Sequence, residues 1–421
     1  MNIASLIAAA TPFDAEAATR AYLATLQGPA RAMSDAYFEG GYWLPLWGTL
    51  VSLLVYGAML RFGWSARWSN WSKRVTNGPV RQSALYALPF VVVGTLLSLP
   101  WTIYTGFIRE TQYGLTNLSF GAWFGEFGIS FIISLITTMI FFMIIFALIR
   151  RAPRSWWAWA TGATAALLAL MIMVSPVFIS PLFNTYKPMA AGPLRDEILT
   201  MAHAQKIPAD NVYVFDASKQ SKRISANVSG LGPTIRISLN DNLLNRSTPA
   251  GIKAVMGHEM GHYVHGHIGN LIAWFSLIAL GGFVLLWWLG PRLLARHGQR
   301  WGVTSVTDPA VAPLFSIILS LYLLAIGPLL NNIVRYNETD ADAFGLEAAR
   351  EPDGFAMTAM QLSEYRKIEP SALEETLFYD HPSGRTRVRM AMEWKAKQLA
   401  ELPADERGAI VMAPVVSEPA K

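Results

Sequence analysis

The chain contains no cysteine. That excludes a disulfide framework and a thiolate metal site, so any metal must be held by histidine and carboxylate. The absence fits any redox compartment. Charge is also scarce: Asp, Glu, Lys and Arg make up 15% of 421 residues, against about 25% in ordinary soluble domains. The net charge of +5 is small and scattered, which suits lipid headgroups and not a nucleic-acid groove, so no nucleic-acid partner is expected. No basic segment precedes the short apolar start Met1 to Ala10, so it does not read as a signal peptide. There is no internal repeat. Histidine is rare as well, yet four of the seven, His258, His262, His265 and His267, fall within ten residues.

What is abundant is apolar sequence, 52% of the chain, with fifteen tryptophans. Six stretches reach the roughly 20 residues needed to cross a bilayer: near 43–62, 84–106, 127–149, 156–180, 268–290 and 311–333. The reading is a mainly α integral membrane protein with the lipid bilayer as its first partner. Trp64, Trp68 and Trp71, at helical spacing beside Arg67, Lys73 and Arg74, predict an interfacial helix held by an aromatic belt. Trp156, Trp157 and Trp159 at the mouth of the fourth span predict the same kind of anchor.

Residues 185–250 are polar and mixed, a small extramembrane α+β domain. Pro193 to Lys206 has helical periodicity and Val212 to Phe215 reads as a strand. Ile224 to Val228 and Thr234 to Leu239 predict a hairpin through Ser229-Gly230-Leu231-Gly232-Pro233. Thr248-Pro249 then opens a helix. Residues 334–400 look helical, and the Pro/Ala-rich end from Leu402 predicts disorder. The expected division is 1–42, 43–183 with four spans, 184–400 with two more, and a tail 401–421.

The helix after Thr248 carries His258-Glu259-Met260-Gly261-His262. Its histidines lie one turn apart, about 5.4 Å along the axis, so both imidazoles leave one face and can share a tetrahedral Zn²⁺. Glu259 stands beside that ion as the base for the attacking water. Two histidines do not complete a catalytic site. Glu338 and Asp342, four apart just past the last span, supply a third ligand and a carboxylate to fix a ligand histidine's tautomer. His381, in Asp380-His381-Pro382 with Arg385 and Arg387 nearby, offers a second electrophile for a tetrahedral oxyanion.

With these motifs in order the chain resembles the membrane-integrated zinc endopeptidases that process prenylated CAAX proteins, the type I CAAX prenyl proteases. The resemblance rests on Gly257 to His262, on Glu338-Thr339-Asp340-Ala341-Asp342, and on His381-Pro382 with Arg387. It extends to Leu99-Pro100-Trp101 with Tyr104, Phe107, Glu110 and Gly114, and to Ile179 to Phe183, covering roughly residues 40–395. It implies about six transmembrane helices around an internal chamber. It also implies one Zn²⁺ per chain on His258, His262 and Glu338, with Glu259 as catalytic base. His381 and Arg387 would steady the substrate backbone or the oxyanion. The substrate it implies is a protein or peptide, possibly prenylated, laid along the strand at Ile224 to Gly230. Where the family tends to carry Asn-Ala, this chain has Ser225-Ala226. Asn227, two residues on and on the same strand face, is the candidate substitute.

The arginine-rich loops 63–83, 150–155 and 291–309 would be cytoplasmic by the positive-inside rule, which puts the zinc domain outside. The resemblance implies the reverse, a zinc site facing the cytosol from a bacterial inner membrane, and orientation stays open. Two alternatives to CAAX processing stand beside it: general proteolysis of damaged membrane proteins, and a non-proteolytic membrane protein with a structural zinc. The intact Glu259 argues against the last, because a closed structural site needs no base.

Overall fold

The computed structural model describes residues 13–230 and 235–402. The apolar start and the expected disordered tail beyond Leu402 lie outside the described residues. Each expected span lies, to within a residue, inside a longer helical stretch: Gly28–Arg61, Pro79–Gln112, Phe120–Arg151, Trp156–Leu182, His267–Trp301 and Pro309–Ala349. A helix satisfies its own backbone and can run past the hydrocarbon into polar sequence without a break. That is why each stretch outlasts its apolar core. The membrane core packs on aromatic rings: Tyr86 stacks on Phe142 at 6.1 Å, and Trp156 lies against Phe283 and Phe315 at 5.8 and 6.3 Å.

Two tryptophan expectations need correction. In the helix Trp64–Val75 the fully buried face is a serine row, Ser65, Ser69 and Ser72. Trp64 and Trp68 are half-buried against the core, and of the three rings only Trp71 is exposed. The small serines let this helix lie close to its neighbours, and each hydroxyl finds a partner. Ser65 Oγ bonds with Tyr86 Oη at 2.6 Å and donates to the Ala310 carbonyl at 2.7 Å; Ser69 Oγ donates to Asp308 at 2.6 Å. Trp156 is likewise a core residue, 3% exposed, whereas Trp159 is 64% exposed as an anchor would be. The helix turns Trp156 inward because Phe283 and Phe315 offer it ring faces.

The extramembrane sheet has four strands, β1 (Tyr186–Pro188), β2 (Val212–Phe215), β3 (Ala226–Ser229) and β4 (Arg236–Asn240), in the order β1-β2-β4-β3. The expected hairpin is present: β3 runs antiparallel to β4, Ala226 opposite Leu239 and Ser229 opposite Arg236. Its pairing reaches back to Ser225, whose carbonyl accepts from Asn240 N–H at 2.9 Å. β2 and β4 are parallel, and β1 and β3 are the two edges. One sheet face buries Ile237 and Leu239 with Leu243 against Ile252, Met256 and Met260 of the helix Pro249–Val264. That helix is therefore fixed by its apolar side and presents its histidine side to the last membrane helix, Ala312–Ala349.

Candidate active site

Thr248 caps the histidine helix, its hydroxyl accepting from Gly251 N–H at 3.1 Å, with Pro249 in the first turn. The helix meets Ala312–Ala349 along a seam of small residues. A Cβ at Gly345 would stand 2.8 Å from the His258 nitrogen, and one at Gly257 would stand 2.9 Å from the Gly345 carbonyl. Both obstacles are backbone, so nothing can turn aside. The seam is what brings Glu338 and Asp342 of one helix opposite His258 and His262 of the other.

His258 Nε2 lies 3.1 Å from His262 Nε2 and 3.3 Å from Glu338 Oε2, and His262 Nε2 lies 3.4 Å from Glu338 Oε1. Donors roughly 2.0–2.1 Å from a tetrahedral ion stand about 3.3–3.4 Å from one another, so the two imidazole nitrogens and the Glu338 carboxylate, which faces each nitrogen with a different oxygen, are spaced as ligands of one such shell. The tautomers agree. His258 Nδ1 sits 2.7 Å from Asp342 Oδ1, and a proton held on that nitrogen leaves the Nε2 lone pair for a metal. The residues fit a divalent cation.

Arg387 lies behind this face. Its Nε donates to Asp342 Oδ2 at 2.8 Å and its terminal nitrogen to Glu338 Oε2 at 3.3 Å. All three side chains are buried. The guanidinium thus holds the two carboxylates that face the histidines. His381 approaches from the other side, Nε2 3.2 Å from Glu338 Oε2 and Nδ1 2.8 Å from Asp380 Oδ1. Desolvation in the cavity pushes the Glu259 carboxyl up to about 7, with His258 lowering it and Glu338 raising it. A bound cation acts in the lowering sense. A carboxyl near neutrality is suited to taking and returning a proton.

These groups open onto a cavity of about 270 Å³ lined by Ser225, Ala226, Glu259, Phe355, Tyr365, Arg366 and His381. Asn227 lines a different cavity, with Tyr186, Ser175 and Arg236. Sequence reasoning assigned no role to Asp380, Arg366 or the glycine seam. Arg366 approaches His381 Nδ1 at 3.5 Å, but it lies in a stretch with no spacing relation to the histidine motif. Gly257, immediately before the histidine motif, and Gly261 within it were the available signal for the seam. Glu110, one of the residues behind the resemblance, accepts from Arg223 at 2.8 Å and from Tyr37 at 2.6 Å. It thereby ties the second span to the segment just before Ser225.

Residues 188–395 match the family model for peptidase family M48, and residues 32–185 match that described as the CAAX prenyl protease N-terminal region with five membrane helices. The chain belongs to peptidase family M48. It is a membrane-embedded metallopeptidase. Among its curated relatives, an uncharacterized metalloprotease YhfN of Bacillus subtilis is 27% identical, over 90% of this chain and 89% of that one. The CAAX prenyl protease 1 of Saccharomyces cerevisiae is 26% identical, over 73% and 72%. The crystal structure of S. mikatae Ste24p superposes with a TM-score of 0.71 at 20% identity, covering 90% of this chain and 94% of that chain. The expected fold class, membrane helices around an internal chamber with a small α+β domain, is thus the fold of this M48 enzyme.

Proposed function

We propose that this metallopeptidase binds one zinc ion on His258, His262 and Glu338 and hydrolyses a peptide bond near the C-terminus of a prenylated CAAX-type protein. The observation that carries the metal reading is the compact group of His258, His262 and Glu338 beside Glu259. The substrate reading is supported by the relatives named as CAAX prenyl proteases over about three quarters of the chain.

The substrate chain adds to the edge strand at Ser225 and Ala226, which line the cavity beside Glu259. Asn227 belongs to the continuation of that strand. Bound zinc supplies Lewis acidity, polarising the scissile carbonyl and acidifying water. Glu259 takes the proton of the attacking water and returns it to the leaving amine. His381 acts in its doubly protonated form, Nδ1–H donating to Asp380 and Nε2–H turned toward the oxyanion. Arg387 acts from behind, keeping Asp342 on His258 and Glu338 on the metal face.

The deciding assay is zinc-dependent cleavage of a farnesylated CAAX peptide beside its unprenylated twin, with Glu259→Gln as control. Cleavage of only the prenylated peptide, lost in the control, is expected. Equal cleavage of both moves the function to general membrane proteolysis, and cleavage of neither removes the substrate reading.

We further propose a bacterial plasma membrane and, on the family resemblance and against the count of arginines in the loops, a zinc domain toward the cytoplasm. The Bacillus relative spanning 90% of the chain supports the membrane. Because the chain has no cysteine, single introduced cysteines read the sidedness directly. In intact cells Lys222→Cys is expected to resist an impermeant thiol reagent and Arg154→Cys to react; the opposite pattern inverts the placement.

A further inference from the structure

The two ligand histidines are held differently. His258 Nδ1 meets a carboxylate directly, Asp342 at 2.7 Å. His262 Nδ1 meets another imidazole, His267 Nδ1, at 3.0 Å. His267 is the first residue of the next membrane helix, reached through Gly266 in the left-handed region at φ +66°, and its side chain is only 5% exposed. Its far nitrogen, Nε2, lies 3.0 Å from Asp340 Oδ2, and the same oxygen also contacts His265 Nδ1.

Proton placement orders this chain. An imidazole that gives Nε2 to a metal keeps its proton on Nδ1. His262 Nδ1–H must then donate, so His267 Nδ1 must accept. A neutral His267 that accepts at Nδ1 carries its proton on Nε2, pointed at Asp340. Each contact has one donor and one acceptor.

His265, His267 and Asp340 also form a second trio compact enough for a cation. That use conflicts with the first site. A cation on His267 Nε2 would require Nδ1–H, and two Nδ1–H groups would then face each other at 3.0 Å. With the catalytic site filled, the hydrogen-bonded arrangement prevails.

We propose that His267 is a positioning residue for the metal centre: backed by Asp340, it fixes the tautomer and ring angle of His262 as Asp342 does for His258. The proposal rests on the assignment of His258, His262 and Glu338 as the metal ligands. It makes the centre symmetric in effect, both histidines being carboxylate-supported, one of them through an intervening ring.

The test is metal affinity of the full-length detergent-solubilised protein, by zinc competition against a chelator, with the visible spectrum of the Co²⁺ form as a second readout. His267→Phe keeps a ring in the space but offers no acceptor. It is expected to weaken zinc binding about 10–100-fold and to shift the Co²⁺ bands, with apo-protein melting unchanged. His267→Asn, which keeps an acceptor beside His262, is expected to recover most of the affinity. Asp340→Ala, a change at a half-exposed side chain, is expected to weaken binding in the same direction by less. Wild-type affinity in both His267→Phe and Asp340→Ala overturns the proposal while leaving the metal ligands in place. A second zinc per chain that disappears in Asp340→Ala overturns it in favour of a second metal site. No zinc bound by the wild-type protein at all overturns the ligand assignment and this proposal with it.

Discussion

The membrane core and the metal pocket both bury polar groups, but of different kinds. In the core they are neutral hydroxyls, Ser65, Ser69, Ser83 and Tyr86, each within reach of a carbonyl, a hydroxyl or a single carboxylate. In the pocket they are ionisable and interlocked across three helices: Glu338 and Asp342, Arg387, and the imidazole of His258. A neutral hydroxyl deleted from the core leaves little behind. A charge deleted from the pocket leaves its buried partner uncompensated. The first region is built to tolerate change and the second to forbid it.

The largest effect tests the chemistry that the second region serves. Glu259→Gln is expected to lower turnover of a cleavable peptide by about 10²–10⁴-fold, with zinc content by elemental analysis unchanged. Arg387→Met comes next. It strands Asp342 and Glu338, 1% and 8% exposed, at a cost of about 3–5 kcal/mol, read as a lowered melting temperature in detergent. Gly345→Ala tests the seam, because the new methyl meets backbone at 2.8 Å. A loss of about 1–3 kcal/mol with weakened zinc binding is expected, measured by melting and chelator competition. The smallest effect belongs to the core: Tyr86→Phe removes a hydroxyl while Ser65 keeps its bond to the Ala310 carbonyl. About 1 kcal/mol of melting stability should go, and activity should stay. If Tyr86→Phe costs more than Arg387→Met, the contrast between the two regions collapses.

The spans were legible because a bilayer imposes one length and one composition, and nothing else in the chain imitates them. The trio of His258, His262 and Glu338 was legible because two members share a helical turn and the third follows the last span in a recognisable pattern. Trp156 and the serine row of Trp64–Val75 were not. Whether a tryptophan faces lipid or core depends on rings such as Phe283 and Phe315, more than a hundred residues away. His267 with Asp340, and Asp380 with His381, carry no spacing signature either. Their meaning comes from which nitrogen faces which oxygen, and that exists only once the helices are packed.

The helix Ala312–Ala349 is a single unbroken element of 38 residues, about 57 Å long. Its first part lies in the bilayer and its last part carries Glu338 and Asp342. The histidine helix, by contrast, is seated on the extramembrane sheet. The metal face is therefore shared between a rod gripped by lipid and a block that is not. A thinner or thicker hydrocarbon layer tilts the rod, but the glycine seam clamps the histidine helix to it at Gly257 and Gly345, so the two must tilt together. The facing ligands of the proposed metal face are thereby carried as one piece, and the seam works as a shock absorber between the bilayer and the chemistry.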